Sequence, residues 1–273
     1  MKYNLKFDEP DKRDKTGFRA IRVAELPKEY EPDFKELPEP YDQGNLGSCT
    51  SQATIAMIYR HTKFQGSRLQ LYYNQREIDG TINEDAGSTL RTAMKAANKL
   101  GVCDESVYPY YPDLFRHVPT IEAKAKAKYA QRLTYERVPQ HLLQLKSCLA
   151  QGLPITFGFC VYDNFETTDF GKNPIMPMPK GEFLGRHAIL AVGYSDKFGG
   201  VWCRNSWGKY GCYFLMPYKF ITDTTLCADF WTITNIKNDN IKSNESSGNG
   251  NVYSFFANLY ERAKRTISNL LHS

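Results

Sequence analysis

The sequence predicts an α+β fold of two lobes, one helical and one rich in antiparallel β-strands, with a cleft between them. Two observations carry the prediction. Apolar residues recur with helical spacing between residues 49 and 151, then switch to a period of two between 155 and 236. A chain of 273 residues is also long enough to bury one sizeable core or two lobes sharing a cleft.

The elements follow in order. Residues 1–25 are polar and lack strong periodicity, as expected of an N-terminal extension or short pro-segment. The segment 26–48 carries Pro27, Pro32, Pro38 and Pro40, which favour an extended path across a surface. Ala53, Ile55, Ala56, Ile58 and Tyr59 predict a buried helix over 49–64. Leu90, Met94, Ala97 and Leu100 form a stripe that predicts a second helix over 88–100, with Ser88 as its N-cap and Gly101 as its stop. A third helix over 139–151 ends at Gly152 and Pro154.

Ile155, Phe157, Phe159 and Val161 then alternate as in a half-buried strand, and further strands are expected over 188–194, 200–204, 212–216 and 229–236. Residues 174–185 read as a Pro/Gly/Met surface loop. The domain is thus expected to span 26–236, followed by an Asn/Ser/Gly-rich linker over 237–251. Val252, Phe256, Leu259, Ala263, Ile267 and Leu270 line one face of a basic amphipathic helix over 252–273. Docking on its own body, on a partner or on a membrane surface all fit such a helix.

Composition narrows the function. A net charge of +5, spread along the chain, gives no basic patch for nucleic acid. No run of about 18 apolar residues spans a membrane. The charged N-terminus has no apolar core of a secretory signal, so a cytoplasmic or virion-packaged protein is expected. Seven cysteines, an odd number, point to mostly reduced thiols, with Cys203 and Cys212 the one pair placed to meet across strands. No CxxC pair offers a structural zinc site, and neither metal nor organic cofactor is expected.

The chemistry starts at Gln43-Gly44-Asn45-Leu46-Gly47-Ser48-Cys49, which puts a thiol at the mouth of a helix. Unpaired N–H groups and the helix dipole favour a thiolate there, and the thiolate is the nucleophilic form. Such a nucleophile needs a base and a group that orients the base. Of five histidines, His187 alone opens an apolar strand, where it is held firmly and can face a cleft. Asn205 follows eighteen residues later, and its side-chain oxygen can accept the imidazole N–H while Trp207 shields that bond from water.

Gln43…Cys49, His187-Ala188 and Asn205-Ser206-Trp207-Gly208, in this order, resemble the papain-like cysteine peptidases. His187 and Asn205 lie 138 and 156 residues after Cys49, near the family spacing. The resemblance implies Cys49 as nucleophile, His187 as acid/base and Asn205 as its orienter. It implies Gln43 and the Cys49 N–H as an oxyanion hole, Ala86-Gly87 as the strip that binds substrate backbone, and a protein or peptide as substrate. Thr50 after the nucleophile, Leu46 in place of a disulfide cysteine, a missing second tryptophan after Gly208 and the short extension resemble the short-pro-segment members of bacteria, archaea and large DNA viruses. Arg186 is a cation expected to disfavour imidazolium at His187. Residues 1–25 are expected to restrain activity, as in a zymogen. The competing reading is a catalytically silent relative that binds peptides or builds a particle.

Overall fold

A computed structural model describes residues 2–16, 26–31, 33–127, 132–208 and 212–236. The predicted linker and amphipathic helix lie outside the described residues. The helical half comprises α1 (Cys49–Thr62), α2 (Arg68–Asp79), α3 (Leu90–Leu100) and a short α4 (Ile121–Lys126). The second half holds β2 (Leu133–Arg137), α5 (Leu142–Ala150), β3 (Ile155–Tyr162), α6 (Asp163–Glu166), β4 (Phe183–Ser195), β5 (Gly200–Arg204), β6 (Tyr213–Pro217), α7 (Tyr218–Ile221) and β7 (Cys227–Ile236). A two-residue β1 (Glu29–Tyr30) precedes both halves and pairs with the end of β4.

The strands form one antiparallel sheet in the order β2-β7-β3-β4-β5-β6. One core layer packs Ile55, Ala56 and Ile58 of α1 and Met94 and Ala97 of α3 against Leu190, Val192, Trp202 and Trp231 of the sheet. On the other side, Leu145 and Leu149 of α5 and Phe220 of α7 pack with Phe157, Phe159 and Phe214. Both faces of the central strands are therefore covered. This corrects the expectation of a half-buried strand at 155–161: residues 155–161 of β3 are all buried, because α5 lies over one face and Leu5 and Phe7 of the N-terminal segment close over Gly158 on the other. All seven cysteines are free and buried, Cys203 and Cys212 included. Among the described residues no helix is long and apolar enough to cross a membrane.

Three further differences from the sequence reading have local causes. Helix α2 has no predicted counterpart: its buried side mixes Leu69, Leu71, Tyr72 and Tyr73 with Gln70, Asn74, Gln75 and Arg76, which dilutes the apolar stripe. It is specified by its ends: Ser67 Oγ accepts the Gln70 N–H at 3.0 Å, and Gly80 closes the helix at φ +71°. The cap of α3 is Thr89, whose Oγ1 accepts the Thr92 N–H at 3.0 Å; Ser88, the expected cap, instead donates to Asp79 at 2.7 Å. Strand β4 begins at Phe183, so His187 sits inside it and not at its start, and the end of the expected loop belongs to the strand.

The segment 2–16 does not trail into solvent. It enters the groove between the Asp85–Ser88 strip and β4. Leu5 N–H donates to Arg186 O at 3.2 Å, Arg186 N–H to Tyr3 O at 3.4 Å, and Lys6 N–H to Ser88 O at 3.2 Å. Gly87, at φ +66°, permits this closeness: a Cβ there would stand 1.9 Å from Asn4 O. Side chains alternate as in any extended segment. Tyr3 and Leu5 meet the sheet half at Gly185 and Gly158, while Lys2 and Asn4 meet the helical half at Asp85 and Gly47. Downstream, Asp8 is fully buried and accepts from Arg137 Nη2 at 2.9 Å, Trp231 Nε1 at 2.8 Å and the Arg91 N–H at 3.1 Å. Asp14 accepts from both Arg91 and Arg137 at 2.6 Å.

Thr89→Ala is expected to cost about 1 kcal/mol by removing the α3 cap, and Thr89→Ser much less. Urea denaturation midpoints of the two variants check this.

Candidate active site

Cys49 is the first residue of α1, carried there by the turn 43–48. That turn is tied to the sheet half by hydrogen bonds on both sides of Asn205. Arg204, buried between Tyr41 and Tyr213, donates to Glu39 O at 2.6 Å. Gln43 N–H donates to Ser206 O at 2.9 Å, Ser206 Oγ to Gln43 Oε1 at 2.6 Å, and Gly208 N–H to Tyr41 O at 2.8 Å. The Gln43 amide nitrogen gives one hydrogen to Leu46 O at 3.0 Å.

His187 Nε2 lies 2.8 Å from Asn205 Oδ1, and the same oxygen accepts the Ser206 N–H at 2.8 Å. Asn205 thus presents an acceptor, so Nε2 carries the proton and Nδ1 is left as the basic nitrogen. Nδ1 is buried without a hydrogen-bond partner. Trp207 packs over the imidazole with ring centroids 5.6 Å apart, and Phe159 meets its edge at 5.7 Å. The structure therefore brings Gln43, Cys49, His187, Asn205 and Trp207 to one place. Ala86-Gly87 lies across the groove from β4, between Asp85 and Ser88, whose carbonyls accept from Asn4 Nδ2 at 2.8 Å and from the Lys6 N–H at 3.2 Å.

The electrostatics are those of a covered site. Burial pushes the Cys49 thiol up to about 11, against smaller opposing effects from the Ala188, Thr50 and Cys49 backbone groups. Burial likewise pulls His187 down to about 4, partly offset by its bond to Asn205. In this closed state the pair is neutral: desolvation outweighs the helix N-terminus, which the sequence alone had favoured. Tyr3 is part of the cover, packed edge-on to His187 at 5.9 Å and against Trp207 at 6.2 Å, with its hydroxyl 2.5 Å from Glu166. Arg186 does not act on the imidazole as expected. Adjacent strand residues point to opposite faces, and its guanidinium stacks on Phe7 at 4.4 Å. Among the described residues no group of His, Cys, Asp or Glu is arranged to hold a metal.

Asp85 and Tyr72 are parts of this site that motif reasoning missed. Asp85 Oδ1 accepts the Gly47 N–H at 2.9 Å and the Tyr72 O–H at 2.6 Å, while Tyr72 Oη accepts the Gly87 N–H at 3.2 Å. One tyrosine, with Asp85, thereby links the turn 43–48 to the Ala86-Gly87 strip.

Residues 27–217 match the model of the papain family of cysteine proteases. A peptidase C1-like protein of Acanthamoeba polyphaga mimivirus is 40% identical over 215 residues, covering 71% of this chain and 69% of that protein. A cathepsin B-like protein of Giardia intestinalis is 25% identical over 193 residues, 64% of this chain and 63% of its own length. Among solved structures, xylellain, a cysteine protease from Xylella fastidiosa, is 35% identical with a TM-score of 0.75, covering 86% of this chain and 96% of that one. Digestive procathepsin L 3 of Tenebrio molitor shares the fold at 17% identity and a TM-score of 0.58, over 81% and 75% of the two chains.

The closed state is favoured where His187 is neutral and Cys49 protonated. His187, lowered from 6.5 to about 4, contributes to closure fully above its ordinary pKa, and that contribution is lost as pH falls through 4. Cys49, raised from 9.0 to about 11, contributes below its ordinary pKa and loses that contribution as pH rises through 11. Iodoacetamide labelling of Cys49, mapped by mass spectrometry in the full chain, is expected to be slow from pH 6.5 to 9 and to climb above it. Full labelling already at pH 6 would indicate a standing thiolate–imidazolium pair instead.

Proposed function

The chain belongs to the papain family of cysteine proteases, and from that premise we propose that it hydrolyses peptide bonds through Cys49, His187 and Asn205. The observation that carries the reading is the imidazole itself: Nε2 is fixed by Asn205 Oδ1 at 2.8 Å, and Nδ1 is buried and unpartnered beside the strand residue, Ala188, against which the thiol lies.

His187 Nδ1 takes the Sγ proton, and the thiolate attacks the scissile carbonyl. The oxyanion receives hydrogen bonds from Gln43 Nε2 and the Cys49 N–H, where donors act on charge that appears only during attack. His187 returns the proton to the leaving amine, and a thioester remains on Cys49. Water, deprotonated by the same nitrogen, then releases the acid and restores the thiol. No step uses a metal or an organic cofactor.

We propose further that residues 2–16 hold the enzyme closed. The segment's bonds to Arg186 and Ser88 fill the groove a peptide would need, and the Asp8 and Asp14 anchors secure it from a distance. The closed cleft is also what a silent relative would display. The hold, however, consists of hydrogen bonds and ion pairs that can be exchanged for a substrate's own.

Cys49→Ala is expected to abolish turnover of a peptide library, and Gln43→Ala to lower kcat by about 10²–10³. Asp8→Ala strips partners from Arg137 and Trp231 outside the cleft; breaking such a buried pair costs about 3 kcal/mol or more. It is expected to raise turnover at least tenfold, whereas equal turnover of this variant and the unaltered chain would refute the restraining role.

A further inference from the structure

Asp85 has one oxygen that the scaffold uses and one that it does not. Oδ1 is held by Gly47 and Tyr72, whereas Oδ2 meets the Lys2 ammonium at 2.8 Å. The two side chains differ sharply in setting: Asp85 is 8% exposed and Lys2 50%. The carboxylate is thus built into the wall, and the lysine is its visitor, delivered by the segment 2–16.

The wall in question belongs to the nucleophile. Gly47 leads through Ser48 directly to Cys49, and the Asp85 carboxylate braces that turn by its N–H. Burial is the main reason that the Cys49 thiol is pushed up, and the Asp85 charge adds to it, so carboxylate and thiol share one electrostatic neighbourhood. Beside them opens a depression of about 710 Å³ that Lys2, Asn45, Glu84, Asp85, Asp113 and Arg116 help to line. Its charged lining carries three carboxylates against Arg116 and the visiting Lys2, so withdrawal of Lys2 leaves an excess of negative charge. The walls are fixed. Buried Arg76 donates to Ile82 O at 2.7 Å and Glu84 O at 3.3 Å, and also to Phe115 O.

We propose that Asp85 is a specificity-determining residue of the cleft. It selects peptides with a lysine or arginine side chain on the residue whose carbonyl Cys49 attacks, and Lys2 occupies that place in the closed chain. The proposal rests on the peptidase reading above. When the segment leaves, Oδ2 loses the ammonium. A cationic substrate side chain restores a charge-assisted hydrogen bond there, an apolar one covers a carboxylate oxygen without a partner, and an acidic one adds repulsion. Selection therefore comes as much from the penalty on the wrong side chain as from the gain on the right one.

The test uses the full chain, with and without Asp8→Ala, and fluorogenic peptides that differ only in lysine, norleucine or glutamate before the scissile bond. Because the segment competes equally with every peptide, ratios of kcat/KM do not depend on how often the cleft opens. The expected order is lysine over norleucine by about 10- to 100-fold, with glutamate slowest. In Asp85→Asn the lysine-to-norleucine ratio is expected to fall to about one. A ratio within twofold in the unaltered chain overturns the proposal without recourse to any variant, and so does a ratio that persists in Asp85→Asn. Turnover of no peptide, together with no labelling of Cys49 by a thiol-directed epoxide, overturns the peptidase reading and this proposal with it.

Discussion

The site depends on one seam, the hydrogen bonds between residues 39–43 and the turn 204–208. Gln43 exchanges backbone and side-chain bonds with Ser206, Gly208 bonds back to Tyr41, and buried Arg204 clamps Glu39 between two tyrosine rings. Neither Cys49 nor His187 lies in this seam, yet it sets where both stand. The turn that leaves Gln43 ends at Cys49, and the turn that carries Ser206 begins at Asn205. A shift of either strand of the seam would move Cys49 against Asn205 and the imidazole it holds. Arg204 makes the seam hard to shift, since a buried guanidinium that loses its acceptors is left uncompensated.

The second organising feature is the segment that lies in the groove. The segment 2–16 gains hydrogen bonds along β4 and the Asp85–Ser88 strip that an extended peptide would also make. Its grip is reinforced outside the groove, where Asp8 and Asp14 meet Arg91, Arg137 and Trp231. Separating the anchor from the cleft has a physical consequence. The hold on the segment can be strong without any anchor residue lying in the groove. Covering the site also biases its charge state, because burial favours the neutral form of both Cys49 and His187.

Much of this was legible in the residues and some was not. Helix α1 and the strands announced themselves by apolar spacing, and Gln43, Cys49, His187 and Asn205 by residue type and order. Helix α2 gave a weaker signal, because Gln70, Asn74, Gln75 and Arg76 share its buried side with Leu69, Leu71, Tyr72 and Tyr73; Ser67 and Gly80, at its two ends, mark it more plainly. The same helix carries Tyr72, and through it the site gains Asp85, which belongs to no motif. Arg186 was misjudged for a related reason: sequence proximity to His187 suggested a charge effect, but the pleat turns the two side chains apart.

The sequence alone determined the chemical parts, because a thiol, an imidazole and an amide in family order can be read one residue at a time. It also determined the broad division into helices and strands, because periodicity is local. Only the tertiary structure decided what the polar N-terminal segment does and how the parts are charged. The partners of Lys2, Asp8 and Asp14 lie between 77 and 223 residues away along the chain. Contacts over such separations leave no periodic trace, and burial, which sets the ionisation of Cys49 and His187, exists only once the chain has closed over them.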